Sequence, residues 1–335
     1  MPPNVSIIIP CYNEQATIAA LLDALRAQTF PLAEMEVVIA DGGSTDGTRA
    51  AINAWRAQHT DLRVNLVENP HGTIPAALNT ALTASQGEII VRLDAHSKPH
   101  PEYVERSVNA LKTEKAQNVG GAWDIRPGAE SWMAQCIAAA ASHPIGVGDA
   151  RYRYSERAGY VETVPFGAFY LSLIEQIGMF DETLLANEDY EFNTRIHQIG
   201  GKVFFDPEIR SEYFARSNLR ALAKQYWRYG YWKLQMLRRY PKTIRWRQAL
   251  PPLFVAGIIL LILLALFWNL ARWALLAGLT LYAFVVLAAG LQVAIRQKKR
   301  SLFVGVPLAI ATMHFCWGAG FLWGIISPPK RCKKG

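Results

Sequence analysis

Cysteine is scarce in this sequence, and the cysteines it has are far apart. The chain of 335 residues contains four, Cys11, Cys136, Cys316 and Cys332. Their spacing fits neither a zinc site nor a redox pair, and a reducing compartment is consistent with it. Internal repeats and low-complexity segments are also missing. The cysteines are therefore given no functional role.

The N-terminus lacks the features of a secretory signal. The opening residues "MPPNVSIIIPCYNE" contain no charged n-region and no signal-like apolar core. We therefore expect the soluble part of the chain to stay in the cytoplasm.

Long apolar runs are present, but only after about residue 248. They are "LPPLFVAGIILLILLALFWNL", "WALLAGLTLYAFVVLAAGLQVAI" and "LFVGVPLAIATMHFCWGAGFLWGII". Each has the length that is needed to cross the hydrocarbon of a bilayer. A helix buried in a soluble core is the alternative, and three such runs disfavour it. The sequence therefore predicts a membrane protein.

The net charge of +8 comes largely from basic clusters beside these runs. The clusters are "RRYPKTIRWRQ", "RQKKR" and "KRCKK", and their position favours anionic lipid over nucleic acid. With the first domain inside, three complete spans would place the tail "KRCKKG" outside, against the positive-inside tendency. Either the third run is re-entrant, or the first two form a tight hairpin with an unusual tail.

The first half of the chain alternates strand and helix patterns. Strands are predicted at "VSIIIP", "EVVIADGG", "RVNLVEN" and "EIIVRLD", with helices between them. The pattern "STDGTRAAINAWRAQ" indicates a helix with Ser44 or Thr45 as its N-cap. Continuous apolar strands alternating with helices predict an α/β fold with a mainly parallel sheet. Ligands of such sheets bind at the carboxyl ends of the strands.

The order is less regular between residues 119 and 210. We expect strands at "GGAWDI", "YVETVPFGAFYLS" and "KVFFDPEI", and a turn and a helix around "LANEDYEFNTRIHQIGG". Residues 218–240 then form an aromatic and basic helix that is typical of a membrane interface.

Two strand ends carry acids that suit a bound nucleotide. Asp41 follows an apolar strand, where a carboxylate can accept hydrogen bonds from a base or ribose. Asp94 and His96 end another strand and could reach one cation. Mg²⁺ and Mn²⁺ prefer oxygen ligands and commonly bind a few protein groups together with substrate phosphates. Asp94 is the expected ligand, whereas His96 either binds the metal or pyrophosphate or makes a local hydrogen bond.

A third acidic pair, Glu188 and Asp189, is predicted to open a helix. Acids in a first helical turn often only complement the helix dipole. A helix-start Asp near the strand ends can also serve as a general base.

Taken together, these motifs resemble a glycosyltransferase of family 2 with a GT-A fold, of the membrane-anchored type that acts in succinoglycan biosynthesis. The resemblance covers about residues 4–240 and rests on "SIIIPCYNE", "VVIADGGSTDGT", "NPHGTIPAALNTAL", "VRLDAHS", "VPFGAFYLS", "NEDYEFNTRI" and "QYWRY". It implies a multi-pass protein of the cell inner (plasma) membrane. The implied parts are a cytoplasmic GT-A domain over 1–217, an interfacial segment over 218–248, a transmembrane region over 249–327 and a basic tail over 328–335.

The resemblance also implies roles for individual residues. Donor-binding positions are Pro10, Tyr12, Glu14, Asp41, Arg92, Asp94, Gln225, Arg228 and Tyr229. Asp94 stands at the first acid of a D-x-D motif that holds the metal, and His96 replaces the second acid. Asp189 matches the catalytic base, with Glu188 beside it. Gln225, Arg228 and Tyr229 match a Q-x-x-R-W pattern with Tyr in place of Trp.

The implied reaction is an inverting transfer of a sugar, with glucose expected, from a UDP-sugar. The expected acceptor is a polyprenyl-diphosphate-linked saccharide in exopolysaccharide biosynthesis, and the expected cofactor is Mn²⁺ or Mg²⁺. Three alternatives remain: transfer to polyprenyl phosphate itself, processive polymer synthesis, and an inactive nucleotide-binding scaffold. Three spans make a poor channel for a polymer, and the presence of both Asp94 and Asp189 argues against an inactive scaffold.

Overall fold

The computed structural model describes residues 3–327, with the side chain of Lys242 left aside. The chain forms two compact units. The first contains the residues up to Asp124 and the segment Ser155–Tyr213. The second contains Ile125–Tyr154 and the described residues from Phe214 onward. The predicted basic tail 328–335, which includes Cys332, lies outside the described residues.

The elements alternate along the chain before the long helices begin. The strands are β1 (Val5–Cys11), β2 (Met35–Asp41), β3 (Arg63–Glu68), β4 (Ile89–Arg92), β5 (Lys98–Pro99), β6 (Asn118–Arg126), β7 (Gly159–Val161), β8 (Ala168–Tyr170) and β9 (Val203–Phe214). The helices are α1 (Ile18–Arg26), α2 (Thr48–Gln58), α3 (Ile74–Ala84), α4 (Tyr103–Thr113), α5 (Trp132–Ala141), α6 (Pro144–Val147), α7 (Leu173–Ile177), α8 (Glu188–Gln198), α9 (Leu219–Arg239), α10 (Trp246–Ala265), α11 (Asn269–Arg296) and α12 (Leu302–Ile326).

One mixed sheet organises the first unit, in the order β3-β2-β1-β4-β8-β6-β9-β5, with β7 paired to β9. Strand β1 runs parallel to β2 and β4, and β2 runs parallel to β3. Strand β8 then pairs antiparallel with β4 and β6. The predicted parallel sheet is therefore found in the four N-terminal strands, and the other strand pairs described are antiparallel.

Strands β1, β2 and β4 form the centre of the core because they are covered on both faces, whereas β3 is a partly exposed edge strand. All seven residues of β1 and all seven of β2 are buried. Continuous apolar strands of this kind are typical of a sheet with helices on both sides. Polar side chains that follow these strands therefore project from a rigid base.

Two local predictions are wrong. Helix α2 begins at Thr48 after Gly47, so neither Ser44 nor Thr45 is its N-cap, because Ser44 bonds to Asp41 instead. The single strand predicted over "YVETVPFGAFYLS" is two strands, β7 and β8. Between them the backbone of Phe166 has φ 63°, which is a left-handed conformation. A strand needs extended backbone, so it is interrupted at this residue.

The second unit is helical. Within residues 3–327, three helices are long and apolar enough to cross a membrane: α10, α11 and α12. The helix predicted over 218–240 is α9. Helices α5 and α6 also belong to this unit, and the sequence patterns did not predict them.

Candidate active site

Backbone N–H groups of the loops that follow β1 and β2 donate hydrogen bonds to side chains of the opposite loop. The N–H of Asn13 donates to Ser44 Oγ at 2.9 Å, and the N–H of Glu14 donates to Thr48 Oγ1 at 2.8 Å. The amide oxygen of Asn13 accepts from the N–H of Thr45 at 2.8 Å. Residues of "PCYNE" and "DGGSTDGT" therefore form one continuous rim at the carboxyl edge of the sheet.

Asp41 lies at the end of β2 and its side chain is fully buried. Ser44 Oγ and Arg49 Nε each donate to its carboxylate at 2.5 Å. Burial alone would raise the pKa of Asp41, but these hydrogen bonds and the Arg49 charge hold the pKa below its usual value. With its pKa lowered and two donors bound to it, the Asp41 carboxylate is a hydrogen-bond acceptor with a fixed position.

Pro10, Tyr12 and Glu14 fall along the first rim segment. Pro10 is buried within β1, whereas the Tyr12 ring is 55% exposed and available for contact with a planar group. Glu14 accepts from His96 Nδ1 at 3.0 Å and from Thr17 Oγ1 at 2.6 Å. Burial raises the pKa of Glu14, but the His96 and Thr17 hydrogen bonds outweigh that effect and the pKa is lowered.

The guanidinium of Arg92 is at the centre of an acidic cluster. It donates to Asp189 Oδ1, to Glu188 Oε1 at 3.1 Å and to Asp94 Oδ1 at 3.3 Å. The Arg92 side chain is only 2% exposed, and it lies over the Phe166 ring at 5.5 Å. Two acids from the start of α8 and one from the end of β4 therefore share one buried cation.

Asp189 is fixed from two sides. Arg92 binds one carboxylate oxygen, and the N–H of Phe166 donates to the other at 3.3 Å. Phe166 has a left-handed φ of 63°, and Gly167 follows with a φ of 94°, so this N–H lies in a bend just before β8. Helix α8 starts at Glu188, so both acids occupy its first turn, where the helix dipole favours negative charge.

A divalent cation fits beside Asp94 if phosphates complete its coordination. No group of three or more His, Cys, Asp or Glu side chains converges as a metal site within the part of the chain described. Mg²⁺ and Mn²⁺ do not require such a group, because they commonly bind one or two carboxylates, waters and substrate phosphates. The Asp94 side chain is 26% exposed and that of His96 is 48% exposed. Asp94 is therefore accessible to a cation, while His96 bonds to Glu14.

The predicted Q-x-x-R-W residues lie on α9, in the second unit. Gln225 Nε2 donates to Tyr229 Oη at 2.9 Å, one helical turn away. Arg228 is exposed on the same helix. The contribution of these three residues to donor binding stays a prediction.

Two features of the site were missed from the sequence. Arg49 is the partner of Asp41, and its place as the second residue of α2 was the only available signal. The backbone N–H of Phe166 has no signal beyond the Phe-Gly pair in "VPFGAF", where Gly favours a turn.

Solved structures similar to this chain assign its fold class. The mannosyltransferase PcManGT from Pyrobaculum calidifontis, in complex with GDP-Man and Mn²⁺, has a TM-score of 0.60 at 23% identity, covering 96% of this chain and 88% of that one. TarS 1–349 from S. aureus, in complex with UDP-GlcNAc, has a TM-score of 0.53 at 15% identity, covering 97% and 92%. The fold is the GT-A fold of glycosyltransferases.

Sequence comparisons assign the family. The profile of glycosyl transferase family 2 matches residues 6–177. The succinoglycan biosynthesis protein ExoA of Rhizobium meliloti (strain 1021) is 31% identical over 319 residues, covering 94% of this chain and 93% of ExoA. The chain belongs to glycosyl transferase family 2, as its motifs indicated, and is a glycosyltransferase.

A second curated relative has a more informative name. It is the dolichyl N-acetyl-alpha-D-glucosaminyl phosphate 3-beta-D-2,3-diacetamido-2,3-dideoxy-beta-D-glucuronosyltransferase of Methanococcus voltae, 24% identical over 326 residues. The match covers 96% of this chain and 97% of that protein.

Proposed function

We propose that this glycosyltransferase moves one sugar, with glucose as the first candidate, from a UDP-sugar to a polyprenyl-diphosphate-linked saccharide with inversion of configuration. The observation that carries the proposal is the placement of Asp189, whose carboxylate is held between Arg92 and the N–H of Phe166 and shares Arg92 with Asp94. A general base and a metal-binding carboxylate are thereby linked through one side chain.

The chain's own residues supply three parts of the reaction. The exposed ring of Tyr12 offers a planar surface to the base of the donor. Asp41 is a buried acceptor that would reach the base or ribose once Ser44 or Arg49 releases its carboxylate. Asp94 would hold a Mn²⁺ or Mg²⁺ ion. When bound, such an ion stabilises the charge that develops on the leaving diphosphate.

Asp189 is the proposed base. It accepts the proton of an acceptor hydroxyl as that oxygen attacks the anomeric carbon from the face opposite the leaving group. One displacement of this kind inverts the configuration, so an α-linked donor gives a β-linked product. Glu188 adds a second negative charge next to Arg92. Arg92 itself therefore fits a role in placing the acids better than direct contact with the donor.

The relatives support a lipid-linked acceptor. The name of the Methanococcus voltae protein describes β-linked transfer to a sugar carried on dolichyl phosphate. ExoA is named for the biosynthesis of succinoglycan. We place the reaction on the cytoplasmic face of the inner membrane, which agrees with the three apolar helices and with the basic clusters beside them.

An Asp189→Asn variant tests the assignment of the base. With purified full-length protein in lipid nanodiscs, UDP-sugar, Mn²⁺ and extracted lipid-linked acceptors, we expect transfer to fall roughly 10²- to 10⁴-fold. UDP affinity, measured by calorimetry, should stay unchanged. Asp61→Asn is the matched control, because Asp61 is an exposed carboxylate that pairs with Arg26. If Asp189→Asn transfers sugar at the original rate, the base has been misassigned.

A donor and acceptor screen with mass detection tests the substrates. UDP-glucose and GDP-mannose are offered with polyprenyl phosphate or with polyprenyl-diphosphate saccharides. We expect a product only from a UDP-sugar and a saccharide-bearing lipid, and loss of the product in EDTA. A product built on polyprenyl phosphate alone would favour the alternative acceptor.

A further inference from the structure

Helix α12 differs from the other two apolar helices in how far it is enclosed. The apolar stretch of α12 is 44% buried inside the protein, against 11% for α10 and 17% for α11. A span that faces lipid keeps an apolar outer surface, and α10 and α11 expose leucines and isoleucines along their length. On α12 the exposed large apolar side chains lie towards its two ends, at Phe303, Val304, Leu308, Trp323, Ile325 and Ile326. The neighbours of α12 therefore decide whether it can lie in hydrocarbon.

The C-terminal half of α12 packs along α9. A side chain at Gly320 would meet the backbone of Trp227, and one at Gly230 would meet the backbone of Trp317, so the two helices touch closely. At the end of α12, Arg238 Nη2 donates to the carbonyl of Gly324 at 2.9 Å and to that of Ile325 at 3.3 Å. The C-terminal half of α12 therefore lies at the same depth relative to the membrane as α9.

Helix α9 is too basic to lie in hydrocarbon. It carries exposed cationic side chains at both ends and in its middle, namely Arg220, Lys224, Arg228, Arg238 and Arg239. Charged side chains at membrane depth are costly and usually face a protein interior or water. Because these five are exposed, α9 belongs at the aqueous face of the bilayer, and the half of α12 beside it lies there too.

The N-terminal half of α12 packs against α5 and α6. Trp132 Nε1 donates to the carbonyl of Ser301 at 2.9 Å, just before α12 begins. In the middle of α12, His314 Nε2 is 2.8 Å from the carbonyl of Ile145, and its Nδ1 is 3.2 Å from Tyr282 Oη of α11. A crossing α12 would therefore take residues 132–147 with it to the middle of the bilayer.

The segment that follows cannot enter hydrocarbon either. Beyond α6 the chain continues through Asp149, Arg151 and Arg153, and Asp149 pairs with Arg247 of the first turn of α10 at 3.2 Å. Irregular backbone with charged side chains is not tolerated where it faces lipid. The start of α10, together with α5, α6 and the segment after α6, therefore lies in water or at the membrane interface.

The hairpin of α10 and α11 exposes apolar side chains, in contrast to the exposed cationic side chains of α9. Its turn exposes Phe267 at 90% and Leu266 at 66%, and apolar side chains continue along both helices. The 20 residues of α10 extend over about 30 Å, which matches the hydrocarbon thickness.

We propose that the hairpin α10–α11 is the only membrane-crossing element among the described residues, and that α12 lies at the membrane surface on the face that carries α9. The chain on both sides of the hairpin then shares one face of the bilayer. This arrangement puts all three basic clusters, "RRYPKTIRWRQ", "RQKKR" and "KRCKK", on the same side, as the positive-inside tendency requires. Three crossings would separate the last cluster from the other two.

Cysteine labelling in sealed membrane vesicles tests this topology. The background is the full-length chain with Ala at the four cysteines, used only if it retains sugar transfer. Single cysteines are introduced as Phe267→Cys, in the hairpin turn, and Gln297→Cys, between α11 and α12. A membrane-impermeant maleimide should label these two positions from opposite faces.

The decisive readout is an epitope placed after the last residue of the otherwise unchanged chain. We expect protease to remove it from the same face that labels Gln297→Cys, since two crossings leave both on one side. Removal from the face that labels Phe267→Cys would mean three crossings and overturn the proposal. Labelling of Phe267→Cys and Gln297→Cys from the same face would also overturn it, because the hairpin then fails to cross. If the cysteine-free background loses transfer, an epitope at the N-terminus of the unchanged chain gives the reference face, since two crossings leave both epitopes on one side and three crossings separate them.

Discussion

At the scale of single residues, Arg92 is the side chain on which the proposed site most depends. It is buried and contacts Asp94, Glu188 and Asp189 at once. Arg92→Met would leave three carboxylates around a neutral side chain, so we expect a loss of about 3 kcal/mol in the free energy of unfolding. Added Mn²⁺ should raise the melting temperature of this variant more than that of the unchanged protein, because a cation replaces the missing charge.

The control for Arg92→Met is Arg210→Met in the same unit. Arg210 pairs with Asp124 at 3.0 Å, but its side chain is 37% exposed. Such a pair contributes roughly 0–1 kcal/mol, and no metal response is expected. Chemical denaturation and thermal melts with and without Mn²⁺ measure both quantities. Equal losses in the free energy of unfolding would mean that the cluster around Arg92 stabilises the protein no more than an exposed ion pair does.

Asp41 predicts a dependence of stability on acid. Its pKa is lowered in the folded protein, although burial opposes this, because Ser44 and Arg49 bind the carboxylate. A group with a lowered folded pKa stabilises the protein above its unfolded pKa of about 4, and the contribution is lost as the pH falls through the folded value. Arg49→Met removes one of the two partners, so the pKa of Asp41 rises and acid unfolding should begin at a higher pH.

Acid titration followed by tryptophan fluorescence measures the shift for Arg49→Met. The matched control is Arg26→Met, since Arg26 pairs with Asp61 while both side chains are about half exposed. Exposed pairs stabilise little, so the acid midpoint of the control should stay in place. An unmoved midpoint for Arg49→Met would show that Ser44 alone sets the state of Asp41.

At the scale of elements, the sequence predicts the parallel half of the fold well. The runs that became β1, β2 and β4 are short, continuous and β-branched, and the intervening patterns have helical spacing, so topology rules place their ends together. The Arg92 cluster follows from no such rule. Its partners Glu188 and Asp189 are 96 and 97 residues away along the chain, and only the tertiary position of α8 brings them to β4.

Helices α5 and α6 show a second limit of sequence patterns. The segment "WMAQCIAAAA" is rich in alanine and has no polar face to mark a helical period, while α6 has only four residues. Their assignment to the second unit depends on contacts with α12, such as Cys136 against Gly305, which no local pattern encodes. The same packing contacts underlie the proposed topology.

Glycines on α12 and α11 give a test of the α9–α12 contact. A side chain at Gly320 would collide with the backbone of Trp227, whereas one at Gly278 meets nothing within 4 Å. We expect Gly320→Ala to destabilise the second unit by about 1–3 kcal/mol, because neither backbone can move aside easily. Gly278→Ala should be neutral or slightly stabilising, since alanine favours helix.

Thermal melts of the two variants in nanodiscs compare them directly. Both replace a glycine by alanine in an apolar helix, so they differ mainly in the space around the new methyl group. A loss of the same size in both would show that α9 and α12 are not in close contact in the membrane-bound protein.

At the scale of the whole molecule, the membrane part bears on how many sugars are added. A processive synthase that exports its polymer must conduct it through the bilayer, and a channel for a polymer needs several spans around it. Within residues 3–327, at most three helices could cross, and the proposed topology leaves a single hairpin. The described residues therefore provide too few spans for a channel within a single chain, and we expect each acceptor to receive one sugar and to leave on the face where it bound.

A time course with excess UDP-sugar and limiting lipid-linked acceptor distinguishes the two modes of addition. Mass spectrometry should show the acceptor converted to a species one sugar heavier, with no larger products after the acceptor is exhausted. Prolonged incubation is the informative condition, because a processive enzyme continues to extend its product while donor remains. A ladder of products that grows with time would contradict single addition, and it would require several chains to assemble around the polymer.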